Sequence, residues 1–261
     1  SRLRHATFPQ GKAWGGNFYC GGFSVNDRLG VLGGMGPQAT NTFYQLVIDR
    51  TDAHTDQEHV NALILSDCQM PDRTAAILGT AEEQEAVFQR LLADARLLEQ
   101  AGCTVLAVPC NTSHFFLDRV QEHIGVPILN MIRETATALK RQGRTRPGIL
   151  ATDGTIRSGL YQKEFAALGI TAVTPSPAAQ KLVMSLIYDD VKAGRDGDPQ
   201  KFDAIHQDLL AQGCDSGVLA CTELSVFAVR RQLPPFYTDA MSVLAERAVL
   251  ACRRPLRDIF I

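Results

Sequence analysis

The sequence is short of most features that would mark it for a specialised setting. Lysine and arginine (26) nearly balance aspartate and glutamate (28), leaving a formal net charge of only −2. A chain so balanced has no electrostatic footprint for nucleic acid or for an anionic membrane surface. No apolar run approaches the roughly 20 residues that span a bilayer. Nor does a basic stretch lead into an apolar one as in a secretory leader, so secretion is not expected. The seven cysteines are odd in number, never spaced C-x-x-C, and scattered over a chain long enough to fold without staples. That favours a reduced, cytoplasmic setting over a disulfide framework or a zinc site. What remains, 261 residues of which 45 % are hydrophobic, suffices for one large core or two small ones.

What is present is a stretch that occurs once in each half. The first copy runs Leu98-Glu99-Gln100-Ala101-Gly102-Cys103, then Thr104-Val105-Leu106-Ala107-Val108-Pro109, then Cys110-Asn111-Thr112. The second runs Leu210-Ala211-Gln212-Gly213-Cys214, then Asp215-Ser216-Gly217-Val218-Leu219-Ala220, then Cys221-Thr222-Glu223. Each is a helix end closed by Gly, a short apolar strand, and a second Cys seven residues after the first. An apolar run of this length between turn signals reads as a buried parallel strand. Its last residue then stands at the carboxyl edge of a sheet, where open α/β folds bind ligands. Cys110 and Cys221 thus take equivalent places in two similar halves, each at a crevice.

The alternation extends over most of the chain. It predicts an α/β protein of two pseudo-symmetric parallel-sheet subdomains, four βα units each, with the active site in the crevice between them. In the first half, strands are expected at 29–33, 60–66, before Cys110 and at 126–130, with a loop over 67–74 and a helix near 82–101. Residues 141–147 read as a linker. The plan then restarts with a strand at 148–151, whose Thr152-Asp153-Gly154-Thr155 mirrors the turn at Gly33-Gly34-Met35-Gly36. A short strand near Ala172-Val173, a helix over 178–193, the Cys221 strand and a strand after Pro234-Pro235 follow. The first subdomain is therefore placed at 28–140 and the second at 141–234. Residues 1–27 hold five glycines, the single Trp14 and no regular period, and read as an N-terminal arm or tail.

Several motifs admit more than one reading. Gly34-Met35-Gly36-Pro37-Gln38-Ala39 fits G-x-G-x-x-A after a strand. Yet Pro37 removes an amide that would cradle a pyrophosphate, so a turn delivering amides to a small carboxylate fits better than a nucleotide site. Cys103 and Cys214 precede their strands and are expected to pack at the amino edge. Cys20, Cys68 and Cys252 have no counterparts. Cys110 and Cys221 each stand just before an expected helix, which lowers a thiol's pKa. One such Cys with His114 would suit a thiol hydrolase. Two matched thiols suit another task, in which one thiolate removes a proton from carbon and the other thiol delivers one to the opposite face. Of the cations, Arg73 sits in an edge loop, while Lys192 closes a helix, where a lysine is ordinarily a dipole partner.

Taken together, these residues resemble the aspartate/glutamate racemase family, most nearly its aspartate racemase branch. The segments that carry the likeness are Gly33-Gly34-Met35-Gly36-Pro37, Asp56-Gln57-Glu58-His59, Pro71-Asp72-Arg73-Thr74, Pro109-Cys110-Asn111-Thr112-Ser113-His114, Ala151-Thr152-Asp153-Gly154-Thr155 and Cys221-Thr222-Glu223-Leu224. The resemblance implies a racemase of free amino acids, aspartate first, that works without PLP or metal and forms a homodimer. It implies Cys110 and Cys221 as catalytic thiols. It places α-carboxylate donors at Met35, Gly36, Asn111, Thr112 and Thr222, and distal-carboxylate cations at Arg73 and Lys192. It also implies that the last helix, within 235–261, returns to complete the first subdomain. One departure stands out: Asp67-Cys68 replaces an Asn-Pro pair common in relatives, bringing a carboxylate towards Arg73. Glutamate, a neutral amino acid or a hydantoin are the alternative substrates. A non-catalytic small-molecule binding protein is the alternative from another class.

Overall fold

The computed structural model describes residues 27–231 and 233–258; most of the proposed arm, with Trp14 and Cys20, lies outside them. The first half runs β1 (Leu29–Gly33), α1 (Pro37–Arg50), β2 (Ala62–Ser66), α2 (Arg73–Leu78), α3 (Ala81–Gln100), β3 (Val105–Ala107), α4 (His114–Gln121), β4 (Ile128–Leu129) and α5 (Met131–Arg141). The second runs β5 (Pro147–Leu150), α6 (Asp153–Ser158), α7 (Leu160–Ala166), α8 (Pro177–Ser185), α9 (Pro199–Ala211), β6 (Ser216–Leu219), α10 (Thr222–Arg230), β7 (Tyr237–Asp239) and α11 (Ala240–Ala251). No helix among the described residues is long and apolar enough to cross a membrane.

Helix starts follow local chemistry. Asp72, Thr80, Asn130, Thr152, Ser176, Asp198 and Asp239 each accept a backbone N–H of the following turn, satisfying donors that a helix leaves unpaired. Pro37, Pro177 and Pro199 occupy first turns, where a missing N–H does no harm.

The strands form two parallel sheets, ordered β2-β1-β3-β4 and β5-β6-β7. The second is one strand short of the expected four. Its missing member is reduced to a single bridge, where Val173 pairs with Gly148 on the outer side of β5. Strand residues alternate between two apolar layers. Leu29, Val31, Val105 and Ala107 face α1 and α11, whereas Leu32 and Leu106 face α3 and α4. In the second sheet Leu150 and Leu219 face α8, α9 and α10, while Ile149 and Val218 face α5 and α7.

The last helix of each half crosses over. Met241, Leu244, Ala245 and Ala248 of α11 bury against the first sheet. Conversely Ile132, Ala136 and Leu139 of α5, residues placed in the first subdomain, bury against the second sheet. The exchange ties the halves together and brings the two carboxyl edges face to face.

Candidate active site

Between those edges lies a narrow cleft lined by Met35, Arg73, Cys110, Asn111, Thr112, Lys192, Cys221 and Thr222. Those are all but one of the residues singled out from the sequence. The remaining one, Gly36, stands at the wall, where an added Cβ would lie 3.9 Å from Glu223 Oε1. Each Cys loop meets the first-strand turn of the opposite half. Thr112 bonds Thr152 at 3.2 Å and Thr155 at 3.0 Å, and Glu223 is the residue that Gly36 faces. Thr74 joins this hydroxyl cluster through Thr152 at 3.3 Å, and the Tyr188 hydroxyl reaches Thr74 at 3.4 Å.

The two thiols differ. Cys221 is the N-cap of α10, as expected, but Cys110 is not: the turn Asn111–Ser113 separates it from α4, which begins at His114. The expected lowering at Cys221 does not hold either. Burial first, then the adjacent Glu223 charge, push its thiol well above the usual range. Cys221 Sγ donates to Glu223 Oε2 at 3.0 Å, and Thr222 Oγ1 donates to the same oxygen at 3.3 Å. The dipole of a nine-residue helix, felt through its first turn, does not offset desolvation plus a like charge.

Of the cations, Arg73 is the first residue of α2, not a loop residue. Its Nη1 donates to the Met70 and Pro71 carbonyls at 3.3 and 2.8 Å, and Nη2 to the Met35 carbonyl at 3.4 Å. Among the described residues no carboxylate lies within ion-pair distance of it, and its buried Nε has no partner. Asp67, expected to crowd Arg73, faces the other way and is gripped by two nitrogens of Arg90 on α3. That hydrogen-bonded pairing holds its carboxyl below the usual range. Cys68 is exposed and does not line the cleft.

Lys192 closes a helix as expected and is partly exposed, yet its side chain also lines the cleft. The helix expected over 178–193 widens after Ser185 into a π-helical turn, Leu186–Val191, a feature concentrated at functional sites. Lys192 Nζ lies 4.7 Å from the centre of the Tyr188 ring and 3.8 Å from Glu223 Oε1. Burial opposes its charge, yet Glu223 and Tyr188 hold the ammonium above its usual value.

His114 is no partner for the Cys110 thiol. Its Nε2 accepts from the Met131 N–H at 3.0 Å, which leaves Nδ1 to donate to the Cys110 carbonyl at 2.9 Å. With both nitrogens engaged by backbone, and burial driving its pKa down to about 4, it stays neutral. The thiol-hydrolase reading therefore lacks its base. In the G-x-G-x-x-A turn, Gly34 is likewise committed internally. Gly34 has φ +87° and packs so close to Asp67 that a Cβ would meet its backbone at 2.4 Å, and its N–H donates to Thr40 Oγ1 at 2.8 Å. Cys103, Cys214 and Cys252 are buried in the apolar layers.

The sequence reading missed Asp72, Thr74, Thr152, Tyr188 and Glu223 as cleft residues. Two of these had local signals. Tyr188 precedes Lys192 by four residues, and Glu223 follows the Cys221-Thr222 pair directly.

Comparison with known proteins agrees with this fold. A family model described as Asp/Glu/Hydantoin racemase matches residues 32–248. The chain is similar to the broad specificity amino-acid racemase RacX of Bacillus subtilis (strain 168), 28 % identical over 228 residues that cover 85 % of this chain and 96 % of that protein. It is also similar to a solved structure, Picrophilus torridus aspartate racemase, with TM-score 0.74 and 29 % identity over 88 % of this chain and 96 % of the other. Glutamate racemase of Lactiplantibacillus plantarum is 32 % identical over 168 residues, 59 % of each chain.

Proposed function

The chain belongs to the Asp/Glu/hydantoin racemase family, a family of isomerases, and on that premise we propose that it interconverts the enantiomers of a free amino acid, aspartate first, by proton transfer between two cysteines. One observation carries this reading: Cys110 and Cys221, from equivalent ends of two parallel sheets, line one cleft together with Arg73 and Lys192.

In the proposed reaction the substrate's Cα lies between the thiols. A thiolate on one side takes the Cα proton, the electron pair is held in the adjoining carboxylate, and the opposite thiol delivers its own proton to the other face. Burial and the Glu223 charge favour the thiol form of Cys221, so with one enantiomer Cys221 is the acid and Cys110 the base. In the reverse direction Cys221, left as thiolate by that transfer, takes the Cα proton and Cys110, now a thiol, delivers its own. Glu223, already hydrogen-bonded to Cys221, is the acceptor through which the free enzyme reaches this form once Cys110 takes up a proton from solvent. Donors for the α-carboxylate are the Asn111 amide, the hydroxyls of Thr112 and Thr222, and the turn at Met35 and Gly36.

Aspartate is favoured because Arg73 is a cation without a carboxylate partner among the described residues, held at the cleft by three carbonyls. A distal carboxylate would supply the missing charge and a fork-shaped acceptor. Lys192 is already shared with Glu223, which leaves the side-chain preference resting mainly on Arg73. That supports a wider substrate range as the second reading, in keeping with the broad specificity of the Bacillus relative. We place the working enzyme in the cytoplasm as a homodimer without PLP or metal. A chiral assay over the common amino acids, without added PLP, tests the proposal. Fastest turnover with aspartate is expected, and no turnover of any amino acid would overturn it.

A further inference from the structure

We propose that Tyr161 is a positioning residue that turns the Asn111 side chain so that its NH2 group, not its carbonyl, faces the substrate's α-carboxylate; the inference rests on the racemase reading above. Tyr161 lies on α7 of the second half, and Asn111 follows Cys110 in the first. The Tyr161 hydroxyl donates to Asn111 Oδ1 at 2.5 Å. Both side chains are buried, at 1 % and 3 % exposure. The phenol ring is fixed edge-on to Phe165, centroids 5.4 Å apart, within the apolar layer of α5 and α7.

An amide side chain has an accepting and a donating end. With a phenol proton on Oδ1, the donating end is left over. Asn111 lines the cleft, and its buried Nδ2 has no hydrogen-bond partner among the described residues. The reverse orientation would present a carbonyl to the substrate's carboxylate, acceptor against acceptor. Burial raises the Tyr161 hydroxyl far above its usual range, so it keeps the proton that it donates to Oδ1 throughout the working pH range. A donor for the α-carboxylate must serve every amino acid alike, because that group is common to all of them.

The test replaces only the hydroxyl, in Tyr161→Phe. Loss of one neutral hydrogen bond corresponds to a roughly 3- to 10-fold change in binding. KM is expected to rise by about that factor, equally for aspartate and for any neutral amino acid accepted, with kcat changed much less. Unchanged KM for every substrate, or a rise confined to acidic substrates, would overturn the inference while leaving the racemase reading intact. Should the wild-type chain racemise nothing, the readout becomes protection of Cys110 by aspartate against iodoacetamide, followed by peptide mapping. Protection lost in Tyr161→Phe would then sustain the role of Tyr161 and remove the racemase reading; equal protection, or none in either chain, would overturn Tyr161 too. If Phe at 161 does not fold, Asn111→Asp replaces it. Its carboxylate keeps the bond from Tyr161 but offers an acceptor to the cleft. Wild-type thermal stability with protection of Cys110 lost is expected, and retained protection would overturn the inference.

Discussion

The Cys221 thiol donates to Glu223 Oε2 at 3.0 Å, while Oε1 of the same carboxylate lies 3.8 Å from the Lys192 ammonium. Glu223 therefore raises the thiol's pKa and is also the group placed to receive its proton. Replacing it by Gln keeps the shape and removes the proton acceptor. Enantiomers have equal free energy, so kcat/KM must fall by the same factor in both directions. We expect roughly 10²-fold or more, the range of a lost general base. In D₂O the loss should be selective, with exchange suppressed only for the enantiomer whose proton Cys221 removes. Equal loss of exchange for both enantiomers would mean that Glu223 supports the fold instead.

Arg73→Ala should raise KM for aspartate by at least about 10-fold and lower kcat as well, because a misplaced Cα harms the transition state. Alanine or serine, if turned over, should suffer less. Lys192→Ala should impair both classes, since Lys192 also holds Glu223. Steady-state kinetics on one acidic and one neutral amino acid separate the two. Equal losses on both classes in Arg73→Ala would remove Arg73 from side-chain recognition.

The parts legible in the sequence are those set by neighbouring residues. Gly and Pro punctuation with apolar runs located β1, β3, β5 and β6, and the strand ends delivered both cysteines to one cleft. Partner choice over long separations was not legible. Asp67 looked like a neighbour of Arg73 because six residues separate them, yet it bonds Arg90, 23 residues on. Tyr161 lies 50 residues from Asn111, in a helix with no sequence sign of a functional role. The Cys221 thiol was misjudged for a related reason: position at a helix start is readable, whereas full burial beside a carboxylate is not. Val173 makes a bridge instead of a strand because only one residue of its segment pairs with β5.

The carboxylates around Arg90 set a pH dependence of stability. Asp94 is buried beside Asp67, and burial first, then the Asp67 charge, push its carboxyl up to about 6. The folded chain thus keeps a proton that the unfolded chain has already released. Stability falls as pH rises from the ordinary carboxylate range through about 6, and levels off above. Asn at 94 cannot ionise. The melting temperature of Asp94→Asn relative to wild type should therefore gain little near pH 4 and most near pH 8. A difference independent of pH, or one that shrinks on raising it, would contradict this assignment.

His114 acts with the opposite slope. Its folded pKa of about 4 lies below the ordinary 6.5, so the unfolded chain binds its proton first. Stability from a neutral His114 is complete above the ordinary value and declines as pH falls towards 4. In His114→Gln that contribution to acid sensitivity should vanish, at the cost of lower stability near neutrality. Melting curves across the acid range check both. An unchanged acid slope in the variant would show that other groups dominate.

Activity should survive dialysis against EDTA and require no added PLP. Loss on chelation, restored by a metal, would overturn the proposal of a reaction carried by thiols alone.

The two-thiol claim is tested most directly by isotope wash-in from D₂O with Cys110→Ala and Cys221→Ala. In the wild type, product formed early should carry deuterium at Cα while recovered substrate carries little. Neither variant should racemise, and the loss should reach at least the roughly 10²–10⁴-fold usual for one acid or base, because each direction needs both thiols. Each variant keeps one base, so Cys110→Ala should exchange the Cα proton of one enantiomer and Cys221→Ala that of the other. Racemisation by Cys221→Ala at near the wild-type rate, or exchange of the same enantiomer by both variants, would contradict proton transfer between Cys110 and Cys221.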